Sequence, residues 1–367
     1  MTRRSFPRVL DGAGATILNI AIGLSVLGGA LFVCWKGSGS SPHKITATDV
    51  TFYAQPDSVR LEGTLTHPQA TGQYPAVALL AGMRQNRDAR TSGGHETFSV
   101  LADHLTREGF VVLRYDKRGV GTSEGSYEAT TLQQRAKDAA AALRFLKSRS
   151  ITQPGNTGLL GLSEGAITAP ITAVRHEEAA FLVLLAAPSV PFDKLSVAQR
   201  VRVDSARGAS PAVLDSIRRV YRQQLNVIQQ NSDSMTIARR LRSVLDQQGV
   251  PQSQISSRVE YATQPAFRSL IRHDPQAVLQ HLDVPVLALY GGNDLHVSPQ
   301  QNVEPMRSAL SAAPTGDATV KVLKGLNHVF QPAETGTKRE IAQTDTTIAQ
   351  KTLETVTTWI EQRRVRE

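Results

Sequence analysis

Cysteine is almost absent from this chain. Cys34 is the only one in 367 residues, so no intrachain disulfide can form. No Cys/His grouping has zinc-ligand spacing, and no glycine-rich phosphate loop appears, so no metal and no cofactor are expected. Aromatic residues are scarce, at 5%. Basic clusters interleaved with aromatics are missing, which sets nucleic acid aside as a partner. There is no internal repeat. Acidic residues are outnumbered 32 to 41, but the excess is local. Residues 1–44 carry five basic residues against one acid, and residues 193–282 carry thirteen against seven. Elsewhere the signs nearly balance. Hydrophobic residues make up 40% of the chain, enough to bury a large core.

Charge is also missing from Ala13 to Trp35, a run long enough to span a bilayer as a helix. Arg3, Arg4 and Arg8 precede it, which holds the N-terminus in the cytoplasm and sends the rest outward. Residues 1–44 are therefore expected to be an export segment and linker. An uncleaved signal anchor is the first reading and a cleaved signal peptide the second. Thr2-Arg3-Arg4-Ser5-Phe6 resembles a twin-arginine signal. A lipoprotein box is disfavoured, because Val33 stands where a small residue is needed before Cys34. The remainder is expected on the periplasmic or extracellular face, membrane-anchored or secreted.

Short apolar runs alternate with amphipathic segments, the pattern of a parallel α/β sheet flanked by helices. Strands are predicted at Pro75–Ala81, Phe110–Tyr115, Thr157–Gly161, Phe181–Ala186, Val286–Tyr290 and Thr319–Leu323. Phe98, Leu101, Ala102 and Leu105 share one helical face, and Leu132, Ala136, Ala139, Leu143 and Leu146 another. Residues 345–366 read as a closing helix. Residues 193–282 interrupt the rhythm: they are helical, with Leu214, Ile217, Tyr221, Leu225 and Ile228 on one face and Ile237, Leu241 and Leu245 on a second. The domain reading is thus a core of 45–192 and 283–367 with a helical cap inserted at 193–282, placed over the active site as a lid.

Gly161-Leu162-Ser163-Glu164-Gly165 fits G-x-S-x-G, the sharp strand-to-helix turn that exposes a serine hydroxyl. A bare match is weak, but this one follows a predicted strand and precedes a helical pattern. A serine hydroxyl needs a histidine base, itself oriented by a carboxylate. In this type of fold the chain order is Ser, acid, His, each in a loop after its strand. Asp294 follows the Val286–Tyr290 strand and His328 the Thr319–Leu323 strand. Asp283 and Asp317 are rival acids, but each precedes its strand. His296 is the rival base. Backbone N–H groups of Glu164 and Met83 are the expected oxyanion donors.

These segments resemble bacterial α/β-hydrolase esterases with a Ser-Glu-Gly elbow. The resemblance rests on Leu61–Leu65, Gln85–Asp88, Tyr115–Gly119, Gly161–Gly165, Gly291–Asp294 and Asn327–Gln331. It covers about 50–366 apart from the central insertion. It implies an α/β-hydrolase fold and carboxylesterase activity on short acyl esters, with Ser163, Asp294 and His328 as the triad. The chain departs from the pattern at Ala81-Gly82-Met83-Arg84, where Met83 and Arg84 are bulky for an acyl site. Asp116, Lys117 and Arg118 read as structural ion pairs, and Arg87 and Asp88 as residues that order their loop. A peptidase of the same fold and a non-catalytic, membrane-tethered binding protein are the competing readings.

Overall fold

The computed structural model describes residues 43–176 and 179–363. Residues 1–42, which hold most of the expected export segment, lie outside the described residues, as do residues 364–367. Among the described residues no helix is long and apolar enough to cross a membrane.

The described residues open with strands β1 (Ile45–Ala54), β2 (Val59–Pro68) and β3 (Tyr74–Leu80). Helix α1 (Thr97–Arg107), strand β4 (Val111–Tyr115) and helix α2 (Leu132–Lys147) follow. Next come β5 (Thr152–Leu162), α3 (Gly165–His176) and β6 (Leu182–Leu185). Six helices run without a strand between them: α4 (Phe192–Ala206), α5 (Pro211–Gln230), α6 (Ser234–Gln247), α7 (Gln252–Thr263), α8 (Pro265–Ile271) and α9 (Gln276–Leu279). Strand β7 (Val286–Gly291), helix α10 (Pro299–Ser311) and strand β8 (Ala318–Leu323) return to the sheet, and α11 (Lys338–Gln343) and α12 (Gln350–Glu361) close the chain.

All eight strands form one sheet in the order β1-β2-β4-β3-β5-β6-β7-β8. The six strands from β4 to β8 pair in parallel, and β1 and β2 add an antiparallel edge. Helices cover both faces of a parallel sheet, which favours near-continuous apolar runs in its inner strands. Leu182–Leu185 is buried at every position. The residues predicted to face inward on α1 and α2 are all buried, and Thr131 caps α2 in a reciprocal box with Gln134. The β1–β2 hairpin was not predicted. Its outer strand alternates polar residues along an exposed edge, so no apolar run marks it. The closing helix is shorter than expected: it begins at Gln350, and buried Ile348 packs from the segment before it.

The helices between β6 and β7 have a core of their own. Leu225, Ile228, Ile237, Leu241 and Leu245 gather with Val197, Ile255, Val259, Phe267 and Ile271. Leu214, Ile217 and Tyr221, predicted for the same face of α5, are only half-buried.

Candidate active site

Ser163 stands in the turn between β5 and α3 with φ at 56°, the left-handed region that side chains rarely adopt. The neighbours explain how so tight a turn is built. A Cβ on Gly161 would collide with the backbone of Gly165, and one on Gly165 with the carbonyl of Leu80. Only glycine fits at either place. The Ser163 N–H donates to the Leu185 carbonyl at 2.9 Å, fixing the turn to β6. The turn therefore lifts the hydroxyl out at the carboxyl end of the sheet, ahead of the N-terminus of α3.

Asp294 and His328 come from the loops after β7 and β8. His328 Nδ1 lies 2.8 Å from Asp294 Oδ2, and Asp294 is 3% exposed. The other carboxylate oxygen accepts the N–H groups of His296, at 2.7 Å, and Val297, at 2.9 Å. Burial pushes this carboxyl up. The charge and hydrogen bond of His328 and the Val297 N–H outweigh that and hold it below its ordinary value. Each loop is braced by an asparagine. Asn293 donates to the Ala333 carbonyl at 2.7 Å, and Asn327 accepts from Val329 and Gln331 at 3.0 Å each.

A buried ionic cluster supports the elbow from below. Glu164 is 3% exposed and pairs with Lys117 at 3.2 Å and Arg135 at 3.0 Å, while the Tyr127 hydroxyl donates to it. Burial raises the Glu164 carboxyl, but the two cations win and it ends below its usual range. Lys117 also donates to the carbonyls of Ala81 (3.2 Å) and Gly82. One ammonium thus ties the loop after β3 to the elbow. In a trans peptide C=O and N–H point opposite ways. Clamping the Gly82 carbonyl therefore turns the Met83 N–H away from Lys117. Among the described residues, neither the Met83 nor the Glu164 N–H donates a hydrogen bond. The neighbouring charges are ion-paired as anticipated: Asp116 with Arg87 at 2.7 Å, Asp88 with Arg114, and Arg118 with Asp138 at 2.7 Å and with Asp57.

Ser163, Met83, Glu164, His296 and His328 line one cavity of about 340 Å³. Asp294 supports it from behind. No hydrogen bond joins the Ser163 hydroxyl to His328 among the described residues. Arg84 turns away to Glu128 and Gln264 (3.4 Å), so of the two bulky residues only Met83 faces the cavity. Of the rivals, Asp317 pairs with Arg363 at 2.7 Å and Asp283 is exposed. The His296 ring engages Gln199 at 2.6 Å rather than a carboxylate, and burial together with the charge of His328 lowers its pKa to about 4. The central helices reach the cavity through Phe192, Leu195, Gln199 and Leu270. Those residues, with Lys338, carry no motif, and only the folded chain brings them to the site.

Residues 92–331 match the model of the family described as serine aminopeptidase, S33. Esterase EstD of Thermotoga maritima is 27% identical over 276 residues, which span 75% of this chain but only 59% of that protein. An alpha/beta hydrolase of Penicillium sp. sh18 superposes with a TM-score of 0.55 at 17% identity, covering 87% of this chain and 99% of its own. An esterase of Pyrococcus furiosus gives 0.53 at 17% identity, with coverages of 87% and 93%. The sheet and its flanking helices are the α/β-hydrolase fold.

Proposed function

The chain belongs to the serine aminopeptidase, S33, family, and on that premise we propose that it is a serine hydrolase cleaving carboxylic esters of short acyl chain. The observation that carries this reading is the meeting of Ser163, at a strained elbow, with His328 in one cavity, His328 being held by a buried Asp294. In the proposed reaction the Ser163 oxygen attacks the ester carbonyl while His328 Nε2 takes its proton. Asp294 holds the ring and stabilises its charged form. The N–H groups of Glu164 and Met83 face the developing oxyanion. His328 then protonates the leaving alcohol, and water releases the acyl group by the same route. Substrate binding is the step that closes the Ser163–His328 hydrogen bond, since such contacts tighten in the complex. A cavity of about 340 Å³ walled by Leu162, Ile167 and Phe192 suits a short acyl chain.

The family description favours a second reading, removal of amino-terminal residues from peptides. A site for a free ammonium group needs an uncommitted carboxylate. Among the described residues Glu164 is the one acid lining the cavity, and it is already paired with two cations. That supports the ester. The deciding experiment follows nitrophenol release from acetyl, butyryl and octanoyl esters beside an aminoacyl nitroanilide, with wild type and Ser163→Ala. Ester turnover lost in the variant supports the proposal. Anilide turnover without ester turnover favours the peptidase. Failure of both, with no fluorophosphonate labelling of Ser163, leaves the binding-protein reading.

We also propose that helices α4–α9 act as the cap of this site, and that the charge-free run Ala13–Trp35 exports the protein and anchors it in the membrane. Fractionation of cells and protease access from outside test the export reading. Protein found only in the cytosolic fraction would end it.

A further inference from the structure

One wall of the cavity is made of side chains that the proposed triad does not use. Gln199 of α4 donates its amide N–H to His296 Nδ1 at 2.6 Å. With Nδ1 accepting, the ring proton of a neutral imidazole sits on Nε2. That nitrogen has no hydrogen-bond partner among the described residues and belongs to a ring lining the cavity. Lys338, the first residue of α11, lines the same cavity, near enough for its charge to act on His296. No carboxylate pairs with Lys338 among the described residues. The acid two residues on, Glu340, accepts instead from the N–H groups of Thr335 (3.0 Å) and Gly336 (2.7 Å). Glu164 is committed to Lys117 and Arg135, and Asp294 to His328. Behind His296, Arg202 donates to the Leu295 carbonyl at 3.2 Å and to Gln301 at 3.2 Å; the acid whose charge reaches it, Asp294, is already paired with His328. The cavity of the serine therefore presents an ammonium and an imidazole N–H, both donors, with the Gln199 amide holding the ring.

We infer that Lys338, His296 and Gln199 form an anion subsite, and that the preferred substrate is an ester that also carries a carboxylate. This rests on the ester-hydrolase reading and narrows it. Lys338 supplies the charge, and the His296 N–H, oriented by Gln199, supplies a directed hydrogen bond. The low proton affinity of His296 fits the arrangement, because a neutral ring whose Nδ1 accepts from Gln199 keeps its proton on Nε2.

The test compares matched esters on the full-length protein. One pair is mono-4-nitrophenyl adipate against 4-nitrophenyl hexanoate. The other is 4-carboxyphenyl butyrate against its carbamoyl counterpart. In at least one pair the anionic member should have a kcat/KM about tenfold higher or more, falling as sodium chloride is raised. Lys338→Met should bring the ratio of the two esters close to one, and Lys338→Arg should keep it. Neutral esters preferred in both pairs, or a preference untouched by Lys338→Met, would overturn the inference. If no ester turns over and Ser163 resists the fluorophosphonate, the hydrolase reading fails separately. Adipate binding followed by calorimetry then judges the subsite: binding lost in Lys338→Met supports it, and no binding to wild type ends it.

Discussion

Ser163, Asp294 and His328 are each a common residue type, and their surroundings make them a candidate triad. Ser163→Ala is expected to lower ester turnover by at least about 10⁴-fold with an unchanged circular dichroism spectrum, since it removes the nucleophile alone. Asp294→Asn should cost kcat on the order of 10⁴-fold, because the histidine loses the partner that fixes its tautomer. Steady-state kinetics separates that from a change in KM. His296 makes a prediction about pH. Its pKa is about 4 in the fold against about 6.5 in an unfolded chain. Between those values the unfolded state binds the proton and the folded state does not, so stability falls as pH drops from about 6.5 to 4. The loss is on the order of 3 kcal/mol, and His296→Gln should flatten that part of a plot of urea midpoint against pH.

At the scale of elements, the site depends on how loops are tied to the sheet. Glu164 sits between two buried cations, so Glu164→Leu leaves Lys117 and Arg135 without their carboxylate. A loss of about 3–5 kcal/mol is expected in urea unfolding, because an uncompensated buried charge is costly. The helices between β6 and β7 are held by a separate apolar core, and Leu241 is 3% exposed within it. Leu241→Ala should cost about 2–5 kcal/mol there. Hydrogen exchange should show the loss concentrated in α5–α7, with the amides of β3, β5 and β6 keeping their protection.

At the scale of the whole molecule, the chain divides at residue 41, and Pro42–Glu367 is a compact unit by itself. A protein beginning at Pro42 is expected to unfold cooperatively and to keep the ester kcat/KM of the full chain within about twofold, since the sheet and the cavity lie inside this unit. Loss of folding on truncation would show that residues 1–41 contribute to the core.

Most of the parallel sheet was legible in the sequence, because a buried parallel strand must be apolar on both faces and leaves an unbroken run such as Phe181–Ala186. The elbow was legible too: crowding at Ser163 demands glycine at Gly161 and Gly165, a local constraint. Asp294 and His328 could be named from their positions after strands. The β1–β2 edge could not, since a half-exposed antiparallel pair has no such run. Nor could the partners of Glu164, the brace from Lys117 to Gly82, or the wall of Gln199, His296 and Lys338. Those contacts join residues tens to more than a hundred positions apart, and nothing in local spacing encodes them. Local backbone and burial requirements are written along the chain. The pairing of charges across it depends on which loops the closed sheet brings to the same end, and only the tertiary structure decided that.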